Sequence, residues 1–553
     1  MPPLTSRSPV ATGPAPEQPD RLAKQRGHRR WAYAVVVFAL LAEMAAAMVT
    51  TAVEQTPTID EPVYAGTAVV YLQQHSLRYN LEHPPLGKLI MASGLAFAGV
   101  HLDPAFTGDQ TQLGRHVLYE AGNDPGKVML FARLPMIVLT LLFGLVVFAF
   151  ARDLAGPPGG LVALTLYAFS PDVIANGSLA TLDVPVAGFL VTSVWLVWRA
   201  RRRPRVYVPL AGLALGAAVA TKMSALPAVP VVLLLAALSV WPDRRRRVLR
   251  VAGTVVGTAA IGIAVVWLAY LAVDPRLRWT PPPDLPALTG VRALTDWLPL
   301  PAPYRAGMHL QFGFENQVWG GFLFGRYYLG SLWYYLPAAL LVKTPLGALA
   351  LWLAGAVVLV ALPRLRPAAP YVLLPAGVLL AAAMTGTRDF GTRYVVFLPM
   401  FLAIAAAAVA LLRVRWARVA TAALLAFAAV SSGRTFPYYL PYANEAFGGP
   451  AETHLRLHDS NVDWGQDLGR LGDRLRQAYP GERPWLVYKG SGVPSAYGID
   501  AADPLRVPAD RVHGLLVVSD TSIDKADDHL KALLTTSTPI DEVGYSITIF
   551  HRP

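Results

Sequence analysis

Residues 31–53 read WAYAVVVFALLAEMAAAMVTTAV, and shortly after them residues 58–62 read TIDEP. The first stretch is long enough to cross about 30 Å of hydrocarbon at about 1.5 Å per residue. Paired acids and a proline directly beyond such a run raise the question of which membrane face they occupy. Upstream, residues 1–30 are rich in Pro and Ser and end in RLAKQRGHRR, so they read as a disordered cytoplasmic tail. A cleaved signal peptide fits poorly, because the apolar run is of spanning length and TTAVEQT lacks a small-residue cleavage site.

The whole chain repeats this pattern. Of its 553 residues 54% are hydrophobic and 15% charged, too little charge to solvate a soluble protein of that size. The formal charge of +12 does not point to nucleic acid, because the arginines form short clusters between apolar runs, with no basic stripe interleaved with aromatics. The absence of cysteine excludes disulfides, thiolate metal sites and cysteine nucleophiles. An arginine-, alanine- and proline-rich composition is typical of GC-rich bacterial coding, so a bacterial plasma membrane is the expected location.

Measured with the twenty-residue ruler, the chain has eleven expected spans: 31–53, 130–151, 159–176, 183–199, 206–222, 225–242, 250–273, 335–362, 370–386, 393–412 and 417–433. With the N-terminus cytoplasmic, alternate crossings put ARDLAGPPGG, RARRRPR, PDRRRRVLR, PRLRP and RVRWAR inside. Nearly every arginine cluster then falls on one side, as the positive-inside rule requires. The outer face receives the loop 54–129, the loop 274–334, SPDVIANGSLATLD, TGTRDFGTR and everything from 434 onward. TIDEP and NLEHPPLGK are therefore expected outside the cytoplasm.

Asp60 and Glu61 open the stretch PVYAGTAVVYLQQH, expected as a short helix at the interface, and Asp183 opens a span in SLATLDVP. Each has the form of an N-cap before proline. Yet two acids brought by separate crossings to one face, at a hydrocarbon boundary, are costly unless paired or used. Lys88, Arg133, Lys222, Lys343, Arg388 and Arg393 are expected near the same face, where a lone Lys or Arg ordinarily snorkels to water. An anionic ligand is the other reason for cations on a face that the positive-inside bias depletes. A carboxylate base beside fixed positive charge suits transfer from a lipid-linked phosphate donor without a required divalent metal.

The run TIDEPVYAGTAVVYLQQHSLRYNLEHPPLGKLI resembles the first outer loop of glycosyltransferase family 39, the protein O-mannosyltransferases and the aminoarabinose transferase of lipid A. The resemblance continues through ARLPMIVLTLLFGLVVFAFARDLAG, SPDVIANGSLATLDVP, LGAAVATKMSAL and GTRYVVFLP, covering about 55–400. It implies the type C membrane glycosyltransferase fold, mainly α, and an inverting transfer of a monosaccharide from a polyprenyl-phosphate donor. By resemblance Asp60 would be the general base, Glu61 its partner and Asp183 the acid that orients donor or acceptor. Glu82, His83 and Lys88 would shape the donor cavity, and Arg133 and Lys222 would lie near the lipid phosphate. Arg393, in TGTRDFGTR, joins them as a cation of the same cavity. The aminoarabinose transferase carries lysine where this chain has His83, which speaks against lipid A as acceptor. The loop 274–334 is too short for the β-trefoil of the eukaryotic enzymes. Its aromatic run QFGFENQVWGGFLFGRYYLGSLWYYLP suits either a sugar groove or an interfacial belt.

From 434 the chain changes character, and PWLVYKGSG, HGLLVVSD and VGYSITIFH predict a small extracytoplasmic α/β domain over 434–553. In it, DSNVDWGQD (459–467) has calcium-loop spacing at Asp459, Asn461 and Asp463, but Trp464 stands where an EF-hand needs glycine. Acceptor recognition and a solvated helix start are the two readings of this run. A protein, lipid or wall-glycan acceptor, no required cofactor and no nucleic-acid partner complete the expectation. A lipid transporter or flippase is the alternative, supported by Glu43 in mid-span but not by any repeat of interrupted helices.

Overall fold

The computed structural model describes residues 19–241 and 247–553. Residues 1–18, most of the expected disordered tail, lie outside the described residues, as does most of the cluster PDRRRR. Residues 19–30 are a correction: they begin the helix Pro19–Glu54 instead of continuing a coil.

Among the described residues, six helices are long and apolar enough to cross a membrane. One of them, Pro125–Ala168, covers two of the expected spans, because Gly156 takes φ 74° and ψ −178° and interrupts the helical backbone just before Pro157 and Pro158. Only glycine enters that region freely, and proline then restarts a helix at its first turn, where its missing N–H is no loss. The expected span 159–176 is also cut, since a break at Phe169 and Ser170 separates Ala168 from the short helix Pro171–Gly177. The span 335–362 is corrected to two helices, Tyr335–Lys343 and Leu346–Ala361, bent by 118° at Thr344 and Pro345. Pro345 lacks the N–H that would continue the ladder. The helices Ala228–Val240, Ala369–Ala383 and Phe397–Leu411 are apolar but shorter than the ruler. Helices Asp183–Ala200, Pro204–Thr221 and Arg247–Val273 pack in sequence, and Asp183–Ala200 also touches Pro125–Ala168. One large apolar core runs through them.

The helix Glu61–Gln74 is largely enclosed by other elements of the protein. Ten of its residues are buried, among them Tyr64, Val69, Val70 and Tyr71. It packs on Leu86–Leu95 and Gln110–Arg115 around a second core cluster. The loop 274–334 contains the helix Ala302–Phe314 and a hairpin of β1 (Gly320–Leu323) and β2 (Arg326–Leu329). Phe324 and Gly325 at its turn both have positive φ, the twist that a two-residue hairpin needs.

The C-terminal domain is α/β as predicted. Strands β3 (Trp485–Val487), β4 (Gly514–Ser519), β5 (Thr538–Val543) and β6 (Ile547–Arg552) form one sheet in the order β3-β4-β6-β5, parallel between β3 and β4 and antiparallel elsewhere. Side chains alternate along β4, so Leu515 and Val517 meet the helix Leu468–Ala478, while Leu516 and Val518 meet Leu530 and Leu533 on the other face.

Candidate functional site

Neither Asp60 nor Asp183 caps its helix with its side chain. Asp60 is the residue before Glu61–Gln74, but its carboxylate makes no capping bond and instead accepts from Arg393 Nη1 at 2.7 Å. Asp183 is the first helical residue of Asp183–Ala200, and its Oδ1 accepts from Lys222 Nζ at 2.5 Å. The two ion pairs meet at one ring: Lys222 Nζ lies 5.7 Å and the Arg393 guanidinium 5.1 Å from the centroid of Tyr394. The phenol of Tyr64, one turn from Asp60, is pushed well up by burial and then by the charges of Asp60 and Asp183. Both acids thus act on the same small volume. The Asp60 side chain is 29% exposed, the Asp183 side chain only 5%.

Counting donors separates the cations. Lys222 makes one of the three bonds that an ammonium offers, to Asp183, and Arg393 Nε has no partner. Lys88 is saturated: its Nζ donates to Asn80 O, Asn80 Oδ1 and His83 O at 2.7–2.9 Å, and it is fully buried. Arg133 is saturated too, donating to Glu61 through Nε and Nη2 and to the carbonyls of Ala52, Gln55 and Thr56. Lys88 and Arg133 therefore serve as struts that hold the loop 54–129 in place. The structure leaves them no donor for a phosphate, in contrast to the role the resemblance implied for Arg133.

Glu61 is likewise enclosed. Its Oε1 accepts from Arg133 and Ala180 N, and its Oε2 from Arg133, Thr58 N and Thr58 Oγ1. Burial alone would raise the carboxyl, but Arg133 and the two backbone N–H groups outweigh it and hold it below the usual carboxylate range. The acidic pair is thus divided: Asp60 faces the half-open site and Glu61 anchors the loop that carries it. Glu82 accepts from Asn80 and Gln110, which fixes the turn preceding Lys88. His83 is held neutral, first by burial and then by the charges of Lys222, Lys88, Arg388 and Arg393, so it faces the same volume as an uncharged ring. Arg388 pairs with Glu315 and Gln311, and Lys343 donates to the carbonyls of Leu440 and Asn461.

The run DSNVDWGQD, singled out in the sequence for its spacing, takes a position that its pattern did not show. It is buried throughout, Asn461, Asp463, Trp464 and Gln466 almost completely, which overturns the solvated reading. Its backbone bonds the Asp60 loop twice, Thr56 N to Gln466 O and Ile59 N to Trp464 O. It also holds the Arg393 loop, where Thr392 N donates to Asn461 Oδ1 at 3.1 Å. Gly391 lies so close that a Cβ there would stand 2.3 Å from Ser460 Oγ. The Arg393 guanidinium sits 4.2 Å from the Trp464 ring. Trp464 is thus the floor beneath the cation that holds Asp60. Its only advance signal was a tryptophan inside an otherwise polar run. Trp464→Leu is expected to lower stability by about 2 kcal/mol through lost packing and cation–π contact, read as a fall in Tm of the purified protein.

Two cavities lie outside the Asp60 and Asp183 ion pairs. One of about 1020 Å³ lies between residues 52–57 and the C-terminal domain, walled by Tyr438, Arg470, Arg474, Tyr497 and Glu542. It does not include Asp60. An apolar groove of about 520 Å³ runs between Leu86–Leu95 and Pro125–Ala168, lined by Ile90, Phe97, Phe131, Leu134, Val138 and Leu142. Glu43 stands apart in the first helix, with its Oε2 unpartnered.

One family model matches part of the chain. The family model described as Dolichyl-phosphate-mannose-protein mannosyltransferase matches residues 36–275. No curated protein sequence matches the chain. Among solved structures, the chain is similar to the S. cerevisiae protein O-mannosyltransferase Pmt1-Pmt2 complex bound to the sugar donor, at 16% identity and TM-score 0.35. That match covers 44% of this chain and 34% of the yeast chain, about a third of its length. It is also similar to ArnT from Cupriavidus metallidurans bound to undecaprenyl phosphate, at 15% identity and TM-score 0.46, covering 93% and 97% of the two chains. The Archaeoglobus fulgidus oligosaccharyltransferase in the apo form matches at 13% identity and TM-score 0.42, covering 80% and 58%.

Proposed function

We propose, from the match of residues 36–275 to the mannosyltransferase family model, that this chain is a member of glycosyltransferase family 39 and moves a monosaccharide from a polyprenyl-phosphate donor to an acceptor hydroxyl, with inversion. The observation that carries this reading is the double ion pair, Asp60 with Arg393 and Asp183 with Lys222, gathered around Tyr394 with donors to spare on both cations.

In the proposed step the acceptor oxygen attacks the anomeric carbon and its proton passes to Asp60. The bond from that carbon to the phosphate oxygen breaks, and the polyprenyl phosphate departs with the electron pair. Lys222 and Arg393 meet the charge that develops on the leaving phosphate, a fixed positive field that needs no reorganisation at the moment of transfer. Asp183 holds Lys222 in place. The neutral His83 ring adds no competing charge. The apolar groove beside Leu86–Leu95 has the polarity and volume to seat part of a prenyl chain. The arginine clusters favour an N-terminus in the cytoplasm and a site on the opposite face. The buried run 459–467 forms the wall against which the acceptor is presented, so the C-terminal segment belongs to the site and is not a detachable domain. The acceptor class, protein, lipid or wall glycan, is set on that side.

Lys222→Met is expected to lower kcat/KM for the lipid-linked donor about a hundredfold, the order found when one charge-stabilising donor is removed. Turnover of purified protein in lipid, measured against donor concentration, tests it. Unchanged kcat/KM would remove Lys222 from the phosphate site.

A further inference from the structure

Away from the Asp60 site, three sequence-distant elements of the C-terminal segment converge. His454 lies in the turn Pro450–Leu455, Asp520 opens the short helix Asp520–Asp524, and Glu542 stands on β5. One ligand-capable atom of each lies within 4.8 Å of the other two. Asp520 is fully buried, and among the described residues its Oδ2 has no hydrogen-bond partner. A carboxylate oxygen left unpaired in the interior is costly unless something cationic meets it.

Among the described residues no cation pairs with Asp520, and Lys489 and Lys525 act instead on Asp463 and Asp524. Asp463 Oδ2 and Asp524 Oδ2 are also unpartnered, and the charge of Asp520 bears on both groups. Lys489 is bonded to Asp459. The orientation of Asp520 is fixed by its neighbours. Its Oδ1 accepts from Thr548 Oγ1 at 2.7 Å and its N–H donates to Ser546 O, which leaves the second oxygen for another partner. A hydrogen-bonded carboxylate with one free oxygen is the arrangement that outer partners impose on a metal ligand. Glu542 also lines the 1020 Å³ cavity, which gives an ion a route in.

We infer that His454, Asp520 and Glu542 bind a divalent cation. One imidazole nitrogen and two carboxylates form a mixed set suited to zinc or manganese more than to calcium, which takes six to eight oxygens. The ion is structural. Thr521, next to Asp520, accepts from Asp459 N through Oγ1 and donates to Asp463 O, so the ion secures the joint between the sheet and the run that floors Arg393.

The test uses the full chain, purified in detergent with any affinity tag removed, stripped with EDTA and then loaded with zinc chloride or manganese chloride. Metal retained after desalting is counted by mass spectrometry, and Tm is read with and without metal. One equivalent and a rise in Tm are expected. His454→Gln and Glu542→Gln, on partly or fully exposed residues that the fold tolerates, are expected to weaken binding at least tenfold. Thr548→Val is expected to weaken it about tenfold through the loss of orientation. Asp541→Asn, a neighbouring carboxylate bonded to Arg474 instead, should leave binding unchanged. No metal retained by the wild type, or equal retention by His454→Gln and the wild type, overturns the inference.

Discussion

Asp60→Asn is expected to lower kcat for transfer about 10³-fold, roughly 4 kcal/mol of barrier, while the affinity for the lipid-linked donor stays within a fewfold of the wild type. The amide keeps the shape of the carboxylate and still accepts from Arg393 Nη1 through its oxygen, so the loop and the cation stay in place. What it cannot do is take the proton of the attacking hydroxyl. Single-turnover kinetics on donor-loaded protein separates the two quantities. A mutant with weakened donor binding and normal kcat would make Asp60 a positioning residue.

The second large effect concerns stability. Glu61→Ala is expected to destabilise the protein by about 3–5 kcal/mol, because it leaves the buried Arg133 guanidinium facing carbonyls without its counter-charge. Five bonds end on Glu61, and they tie Thr58, Ala180 and Arg133 into the floor on which Asp60 stands. The double change Glu61→Met with Arg133→Met should recover part of the loss, since it leaves no buried charge but still strips the N–H groups of Thr58 and Ala180 and the carbonyls of Ala52, Gln55 and Thr56 of their partners. Thermal melts of the purified proteins measure this. Equal destabilisation of the single and double variants would show that shape matters here more than charge.

These two residues, adjacent in TIDEP, mark how far the sequence could be read. Apolar runs located many of the apolar helices, because a membrane demands a fixed length of hydrocarbon, but not the breaks at Gly156, Phe169 and Thr344 that cut the expected spans. Acids at helix entrances pointed to Asp60 and Asp183, because charge at that boundary needs a partner. The different fates of Glu61 and Asp60 were not legible: what enclosed Glu61 includes the backbone N–H groups of Thr58 and Ala180, which have no signature in sequence. Lys88 and Arg133 were hidden in the same way, their partners being largely main-chain carbonyls. The 118° bend at Thr344 could be suspected only from Pro345, since the apolar pattern continues across it. Run 459–467 could be read as an acceptor-recognition segment or as a solvated helix start, because its residues are polar. Its burial follows from backbone bonds to Thr56 and Ile59, about four hundred residues away in the chain.

Glu43, unpartnered in the first helix, keeps lipid transport as the rival reading. The most direct measurement is therefore made in sealed proteoliposomes, supplied with polyprenyl phosphate carrying a radiolabelled sugar and with candidate acceptors. The account predicts label covalently joined to an acceptor, one polyprenyl phosphate released per bond formed, and loss of both in Asp60→Asn. Label that crosses the bilayer still joined to its lipid, at equal rates in wild type and mutant and with no product bond, would contradict it.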